Sequence, residues 1–241
     1  MASKKPQQEN VFLSLAFNLI IPVLILQKGG KLLGGFDGAA TLSLIVALCF
    51  PLFYGLLDYI RRDNKNLLSI IGFINTLVTG GFALATLQGH WFAIKEAAVP
   101  LILGLGVLAS IRMKKPFMSF LILKSGVLNS DLLKQKIEEQ GHQTQFEKQL
   151  NRSTYLLSIS FFISSVLNYF LGLYIFQPLD TAQTLEQQKD VLNTQIAQMN
   201  WMGMLVISLP LMFFLGFILW DFFRQIKILS GLTLEDLAPQ T

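Results

Sequence analysis

Two adjacent ionisable residues lie inside an otherwise apolar segment near the middle of the chain. Lys95 and Glu96 stand close to the start of the apolar run 93–111. Charges in such a run are costly to bury, so they are the first candidates for proton transfer or for binding a charged ligand. The alternative is that Lys95 extends to the lipid head groups while Glu96 stabilises the positive helix N-terminus. Because adjacent helix positions diverge by about 100°, each side chain is expected to have a partner other than its neighbour, or to reach water.

Three asparagines are the other polar candidates within apolar segments. They are Asn18, Asn75 and Asn168. A buried asparagine in lipid needs a hydrogen-bond partner, and bonds of this kind between membrane helices average about 0.6 kcal/mol. Two interpretations stay open: the asparagines join neighbouring helices, or they line a polar cavity.

Residue patterns typical of enzymes are missing from the sequence. His90 and His142 fall in different loops, and no H-E-x-x-H, G-x-S-x-G or P-loop pattern is present. Cys49 is the single cysteine, so an intrachain disulfide is impossible and a cysteine-based metal site is not expected. We therefore predict a protein that is not an enzyme and that needs no cofactor or metal.

The composition indicates the environment in which these residues lie. Of the 241 residues, 52% are hydrophobic and 14% are charged, whereas a typical soluble domain has roughly 25% charged residues. The net charge of +4 is not interpreted as nucleic-acid binding, because the basic residues flank apolar segments as lipid head groups require. The prediction is a single all-α membrane helix bundle over 1–241, with the lipid bilayer as its surroundings.

Six apolar segments are long enough to be spans. A helix crosses the hydrocarbon core with about 17–25 residues, and these segments lack the alternation of a β-barrel. The predicted spans are 11–27, 39–60, 67–87, 93–111, 155–176 and 201–222. With the N-terminus inside, fifteen Lys and Arg residues fall on the inner side and four on the outer side. This agrees with the positive-inside rule and places both termini in the cytoplasm.

The connections between the spans also carry predictions. A half with four spans, 1–125, is joined to the last two spans, 155–241, by a cytoplasmic amphipathic linker, 126–154. A linker helix is expected to begin near Asn129, to break at Gly141 and to be followed by a second helix. Its apolar face is expected to rest either on lipid or on the protein's own membrane helices. The stretch 117–123 is too short to span and is expected at the interface. The outer loop 177–200 is expected to extend the sixth span as a helix, either packing within the molecule or binding a partner.

Prolines and small residues predict how the spans bend and pack. Proline removes a backbone donor and frees a carbonyl, so kinks are expected at four positions, namely Pro22, Pro51, Pro100 and Pro210. Small residues four positions apart let a neighbouring helix approach closely. The third span has two such rows, one of Gly72, Thr76 and Gly80 and the other of Gly81, Ala85 and Gly89.

The first half of the chain, about 10–125, resembles the intracellular septation protein A family of bacterial inner-membrane proteins. The resemblance depends on short motifs in order, which are Asn18 to Pro22 in the first span, Tyr59-Ile60-Arg61-Arg62, Trp91 to Lys95, and Lys114-Lys115-Pro116. Two features depart from the family: the inner loop after the fourth span is longer, and two further spans follow. The chain is therefore similar to a broader septation-protein-like group.

The resemblance implies a role in the bacterial inner membrane and cell envelope, near the division machinery. It implies no catalytic residues, and Lys95 is the one ionisable position that it matches inside a predicted span. The leading hypothesis is a non-enzymatic envelope protein that acts through helix packing and through binding other inner-membrane or division proteins, or a second copy of itself. The alternative hypothesis is a transporter of small solutes or ions, with its polar site at Lys95 and Glu96.

Overall fold

The computed structural model describes residues 15–62, 67–87, 89–124, 128–233 and 235–238, with side chains in these ranges except at 57–62, 67–73 and 124. Every regular element in these ranges is helical. This result confirms the predicted all-α class. The elements are α1 (Ile21–Leu32), α2 (Ala39–Arg62), α3 (Leu67–Leu84), α4 (Gly89–Arg112), α5 (Ser130–Glu139), α6 (Gln143–Ile175), α7 (Leu185–Met202) and α8 (Leu209–Ser230), with π-helical turns at Ala16–Ile20, Phe120–Lys124 and Gly203–Ser208 and one short turn at Phe117–Ser119.

Four helical stretches of the described chain are long and apolar enough to cross a membrane. They are Ala39–Leu56, Gly89–Arg112, Gln143–Ile175 and Leu185–Ser230. Many large apolar side chains on them are exposed, such as Ile102 at 66% and Phe213 at 75%, and a surface of this kind fits a lipid environment rather than water. Four of the six predicted spans, the second, fourth, fifth and sixth, overlap these stretches.

The other two predicted spans extend beyond the residues that the structure describes in full. The first, 11–27, includes positions 11–14, which lie outside the described residues. In the third, 67–87, the apolar helix with described side chains is Ile74–Leu84. The count of six spans and the orientation of the termini therefore stay predictions.

Two helices continue well past the apolar segments that predicted them. The helix α6 has 33 residues and is thus about 50 Å long, beyond the roughly 30 Å of a hydrocarbon core. The second helix expected after Gly141 is in fact its first part, because no glycine or proline interrupts 143–171. Similarly, α7 joins α8 through the turn Gly203–Ser208 in one stretch of 46 residues, so a helix does extend the predicted sixth span toward its N-terminal side.

Helix ends follow the signals in the sequence. The side chain of Asn129 accepts a hydrogen bond from the backbone N of Leu132 at 3.1 Å, so α5 begins where predicted. Gly141 adopts φ +68° and separates α5 from α6, which confirms the predicted break. At the start of α7, the Thr184 hydroxyl accepts from the Gln187 N and the Gln187 side chain accepts from the Thr184 N, which together form a capping box.

The chain divides into two compact units. The first consists of 1–99 and 168–206, and the second of 100–167 and 207–241. In the first unit, α7 packs on α1 and α2. The Glu186 carboxylate accepts a hydrogen bond from the Ala40 N at 2.6 Å, and the Asn193 side-chain amide donates to the Ala40 carbonyl at 2.8 Å. Glu186 thus satisfies a free amide at the N-terminus of α2, where a negative charge is favourable.

The second unit has a core that joins the predicted linker to the end of α8. Apolar side chains of the short turn, the π-helical turn after it, α5 and early α6 form one core with side chains of α8. The core includes Met118, Ile122, Leu133, Ile137, Phe146 and Leu150 from the former and Ile218, Phe222 and Ile226 from α8. Gln140 and His142 contact the carbonyls of Ser230 and Leu229, which end α8. The linker therefore packs on its own protein. Within 117–123, Met118 and Ile122 are buried whereas Phe120 and Leu121 are exposed.

Candidate functional site

A buried polar cluster joins α3 to α4 in the first unit. The Lys95 Nζ donates to the Thr79 Oγ1 at 2.6 Å and to the Asn75 Oδ1 at 3.3 Å. It also lies 2.6 Å from the Glu96 Oε1 in an ion pair. The side chains of Lys95 and Glu96 are 7% and 20% exposed. We call these four residues the Lys95 cluster.

The local helix geometry places the two α3 residues together. Asn75 and Thr79 are four positions apart, so their side chains lie one above the other on the same helix face. The Thr79 hydroxyl donates to the Asn75 backbone carbonyl at 2.8 Å. Its oxygen is thereby oriented with a lone pair free to accept from the ammonium of Lys95. A polar acceptor face on α3 thus meets a cation on α4.

The pairing of Lys95 with Glu96 adds a contact that the sequence analysis did not expect. Because adjacent positions on a helix diverge, each residue was expected to have another partner or to reach water, and Lys95 does have other partners, in Asn75 and Thr79. The two side chains are long enough to curve toward each other, and the ammonium and carboxylate meet at 2.6 Å. Lys95 also does not extend to the surface of the protein, because its side chain turns toward α3 and is 93% buried.

The electrostatics of the Lys95 cluster favour a closed arrangement. A lysine ammonium has three N–H donors, and the cluster supplies three acceptors on Asn75, Thr79 and Glu96. The pair is neutral overall, which reduces the cost of placing charge among apolar helices. Removing one charge would leave the other buried and uncompensated.

The remaining asparagine candidates lie elsewhere. Asn18 is exposed in the π-helical turn Ala16–Ile20, and Asn168 is half-buried on α6. Both have an interaction partner. Thr79 was missed by the sequence analysis, although its four-residue spacing from Asn75 was a usable signal. The structure therefore joins one of the three asparagines to the charged pair.

The two small-residue rows of the third span differ in their surroundings. A Cβ added at Gly80 would lie 2.6 Å from the Leu48 side chain, so this glycine lies at a close helix contact. Gly81 and Ala85 are exposed, and a Cβ at Gly81 would meet no atom within 4 Å. Within the second row, Gly81 and Ala85 thus make no close helix contact in the described residues, whereas Gly89 begins α4 and lies against Phe176. Thr76 is half-buried with a partner, and the surroundings of Gly72 lie outside the described side chains.

Close approach also occurs at two glycines near the Lys95 cluster. A Cβ at Gly172 would lie 2.7 Å from the Ala93 Cα, and a Cβ at Gly89 would collide with the Phe176 carbonyl oxygen. The rings of Phe92 and Phe176 stack beside them with centroids 4.6 Å apart. The start of α4 is therefore held tightly against the end of α6 at the positions just before Lys95.

The four prolines take two different positions relative to their helices. Pro51 and Pro100 lie inside α2 and α4. Pro22 and Pro210 lie in the first turns of α1 and α8, directly after the π-helical turns Ala16–Ile20 and Gly203–Ser208. A π-helical turn adjusts the backbone where proline cannot donate to the usual carbonyl. Two of the predicted kinks thus coincide with such turns.

A second polar cluster lies in the second unit, and sequence analysis did not identify it. The Asp221 carboxylate accepts from the Gln149 amide at 3.2 Å and lies 3.3 Å from an Arg152 guanidinium nitrogen. The Asp221 side chain is 13% exposed and that of Arg152 is 54% exposed. Asp221 falls inside the predicted sixth span, so its position in an apolar run was a signal of the same kind as Lys95.

Replacing Asp221 by asparagine should lower the stability of the protein modestly. The ion pair with a half-exposed arginine is worth little, whereas the hydrogen bond from Gln149 to a charged acceptor is worth more, so a loss of about 1 kcal/mol is expected. Thermal unfolding of the purified protein in detergent measures it. Glu138→Gln, at an exposed carboxylate, is the matched control and should leave the unfolding temperature unchanged; an equal loss in both variants would refute a specific role for Asp221.

Two exposed carboxylates outside the spans, those of Glu139 and Asp236, have a pKa below the usual value. The hydrogen bond from Lys136, supported by one from Gln135, lowers the pKa of Glu139. The hydroxyl of Thr233, together with its backbone N–H, lowers the pKa of Asp236. Both groups stabilise local turns of the second unit in their charged forms.

The comparisons with known proteins do not place the chain in a family. It matches no family model, no curated protein and no solved structure. The resemblance to the septation protein A family therefore stays a prediction from the motifs alone. In the part of the chain that it describes, the structure shows helices as the regular elements and four helical stretches long and apolar enough to cross a membrane.

Proposed function

We propose that the chain is a non-enzymatic, multi-pass protein of the bacterial inner membrane that acts in the cell envelope through helix packing and partner binding. The proposed protein crosses the membrane six times and has both termini in the cytoplasm. It is supported by the four apolar helical stretches, by the bias of basic residues toward one side, and by the septation-protein-like motifs of the first half. The partners proposed are inner-membrane or division proteins.

The closed geometry of the Lys95 cluster is the observation that carries this proposal. A binding site for a transported solute needs polar groups that are free to contact that solute. The three donors of the Lys95 ammonium are all engaged within the protein. The most buried charge in the described spans therefore serves helix packing, joining α3 to α4.

The lengths of the helices support the proposed arrangement across the membrane. The helical stretch Leu185–Ser230 has 46 residues, more than the roughly 20 that cross a bilayer core. In the first unit, its polar part, α7, packs on α1 and α2. In the second unit, the apolar α8 ends in the core that it forms with the basic linker, and the positive-inside rule assigns that linker to the cytoplasm.

A complementation experiment tests the proposal. The gene is deleted in its own bacterium, and the deletion should lengthen the cells or weaken the envelope. The double variant Lys95→Met with Glu96→Leu, which removes both charges together, should restore normal cells at equal protein level. A deletion without any division or envelope defect would contradict the proposal.

Transport of a small solute or ion is the second candidate function. The observation that favours it is the 20% exposure of the Glu96 side chain, which gives the cluster one exposed edge. In that case the double variant would be present in the membrane and would fail to restore growth under ionic or pH stress. The two functions are therefore distinguished by the same strains under two growth conditions.

A further inference from the structure

Three exposed cations follow the apolar part of α4 in the second unit. Arg112, Lys114 and Lys115 form no ion pair within the described part of the chain. The sequence between Glu96 and Asp131 contains no Asp or Glu, so the neighbouring chain offers these cations no opposite charge. They stand directly at the end of a helical stretch that is long and apolar enough to cross a membrane, which is where lipid head groups are met.

The backbone at the end of α4 holds Lys114 in an unusual conformation. The Lys115 N–H donates to the Ser110 carbonyl at 3.1 Å, and the Lys114 N–H donates to the Ile111 carbonyl at 3.0 Å. This pair of bonds is the Schellman motif, whose left-handed residue is usually glycine because a side chain there costs free energy. Here the left-handed residue is Lys114, with φ +55°. A strained position that keeps a cation, where glycine would be more stable, indicates that the charge is used.

Two further helices bring exposed cations to the same end of the unit. The helix α6 contacts the turn after α4, where the Met118 N donates to the Thr154 hydroxyl at 3.1 Å. It contacts α8 where the Gln149 amide donates to the Asp221 carboxylate at 3.2 Å. Next to Gln149 on α6 and one turn after Asp221 on α8 stand two more exposed cations. With the three at the end of α4, they form what we call the basic rim: Arg112, Lys114, Lys115, Lys148 and Arg224.

Large apolar side chains are exposed beside these cations. Met113 is 69% exposed between Arg112 and Lys114. Trp220 is 57% exposed, and the Arg224 guanidinium lies 5.5 Å from the centre of its ring. Tryptophan next to basic residues is typical of the boundary between hydrocarbon and head groups. An acidic protein segment would match the cations alone, whereas a lipid offers a phosphate to the cations and acyl chains to the apolar side chains.

We propose that the basic rim binds anionic phospholipids of the phosphatidylglycerol class in preference to zwitterionic ones. The Lys and Arg side chains donate charge-assisted hydrogen bonds to the phosphate oxygens, and each basic residue adds to the attraction. Phosphatidylcholine has the same phosphate, but its choline cation cancels the charge. The exposed Glu147 offsets one of the five rim charges, which leaves a positive excess. This inference rests on the membrane location in the proposed function and not on any envelope partner.

Spin-labelled lipids test the inference in phosphatidylcholine bilayers that contain the full-length protein. Labelled phosphatidylglycerol and labelled phosphatidylcholine are added separately, and electron spin resonance measures the fraction of each that the protein restricts in motion. Phosphatidylglycerol is expected to associate about fivefold more strongly. The preference should weaken in high salt, because the Debye length shortens from about 10 Å at 0.1 M to about 3 Å at 1 M.

Lys114→Gly separates the role of the charge from its effect on folding. Glycine relieves the left-handed backbone, so the unfolding temperature should rise by about 2–4 °C. The preference for phosphatidylglycerol should nevertheless fall by about twofold. The triple variant Arg112→Gln, Lys114→Gly and Lys115→Gln should leave the two lipids within about twofold of each other.

Lys31→Gln is the matched control at the other charged end of the chain. Lys31 is exposed and borders a cavity that Glu186 and Asp190 also line, so its charge is offset and its loss should not change the preference. Equal association of the two lipids with the wild type overturns the inference and favours an acidic protein segment as the occupant. A triple variant with the full preference overturns it for the end of α4. If neither lipid is restricted, the membrane location itself is contradicted.

Discussion

Glu96→Gln is expected to destabilise the protein by about 3 kcal/mol, close to the cost measured for breaking other buried ion pairs. The substitution keeps the shape of the side chain and removes its charge, leaving the Lys95 ammonium buried with only neutral partners on α3. Lys95→Met should cost less, because the Glu96 carboxylate that remains is 20% exposed and can reach water or head groups.

The double variant is the decisive member of this series. When both charges are removed, as in Lys95→Met with Glu96→Leu, no buried charge is left, and stability should return to within about 1 kcal/mol of the wild type. The two substitutions would then be strongly non-additive, as expected for residues in direct contact. Denaturant-dependent unfolding in detergent measures all three variants. The exposed Lys115→Met is the control, and additive losses in the double variant would contradict an ion pair.

Gly172→Ala is expected to destabilise the protein by about 1–3 kcal/mol, the usual range for overpacking a tight contact. The added methyl group would lie 2.7 Å from the Ala93 Cα and 2.9 Å from its Cβ. The Ala93 backbone cannot move aside as the end of a flexible side chain can. The helices α4 and α6 would have to separate at the residues that precede Lys95.

A glycine on α8 provides the matched control for Gly172→Ala. Gly216 is also inside a helix, yet a Cβ there would meet no atom within 4 Å. Gly216→Ala should therefore be neutral, or stabilising by up to about 1 kcal/mol, because alanine favours the helix. Thermal unfolding in the same detergent compares the two variants. Equal losses would mean that the contact at Ala93 is not specific.

Apolar length and local signals were sufficient to predict much of the fold. The cores of four spans, the start of α5 at Asn129 and the break at Gly141 all follow from residues close in sequence. Hydropathy could not reveal that α6 begins at Gln143, because its first turns are polar and a helix continues regardless of polarity when nothing breaks it. The same reason explains the extension of the last span through α7.

The candidate sites were predictable only in part. Lys95 and Glu96 were identified because charge in an apolar run is conspicuous, whereas their mutual contact depends on rotamers that adjacency alone does not determine. Thr79 became a partner only because α4 packs beside it.

Thiol accessibility tests most directly whether the Lys95 cluster is a closed packing site. Cys49, which is exposed, is first replaced by alanine, and Asn75→Cys and Thr79→Cys are then made singly. Lys115→Cys and Gln198→Cys, at exposed positions, serve as reactive controls. In native membranes, a charged, membrane-impermeant thiol reagent should label the controls and leave positions 75 and 79 unlabelled until the protein is denatured. Labelling of either position in the native protein, from either side, would show a water-filled path to Lys95 and would contradict the closed cluster.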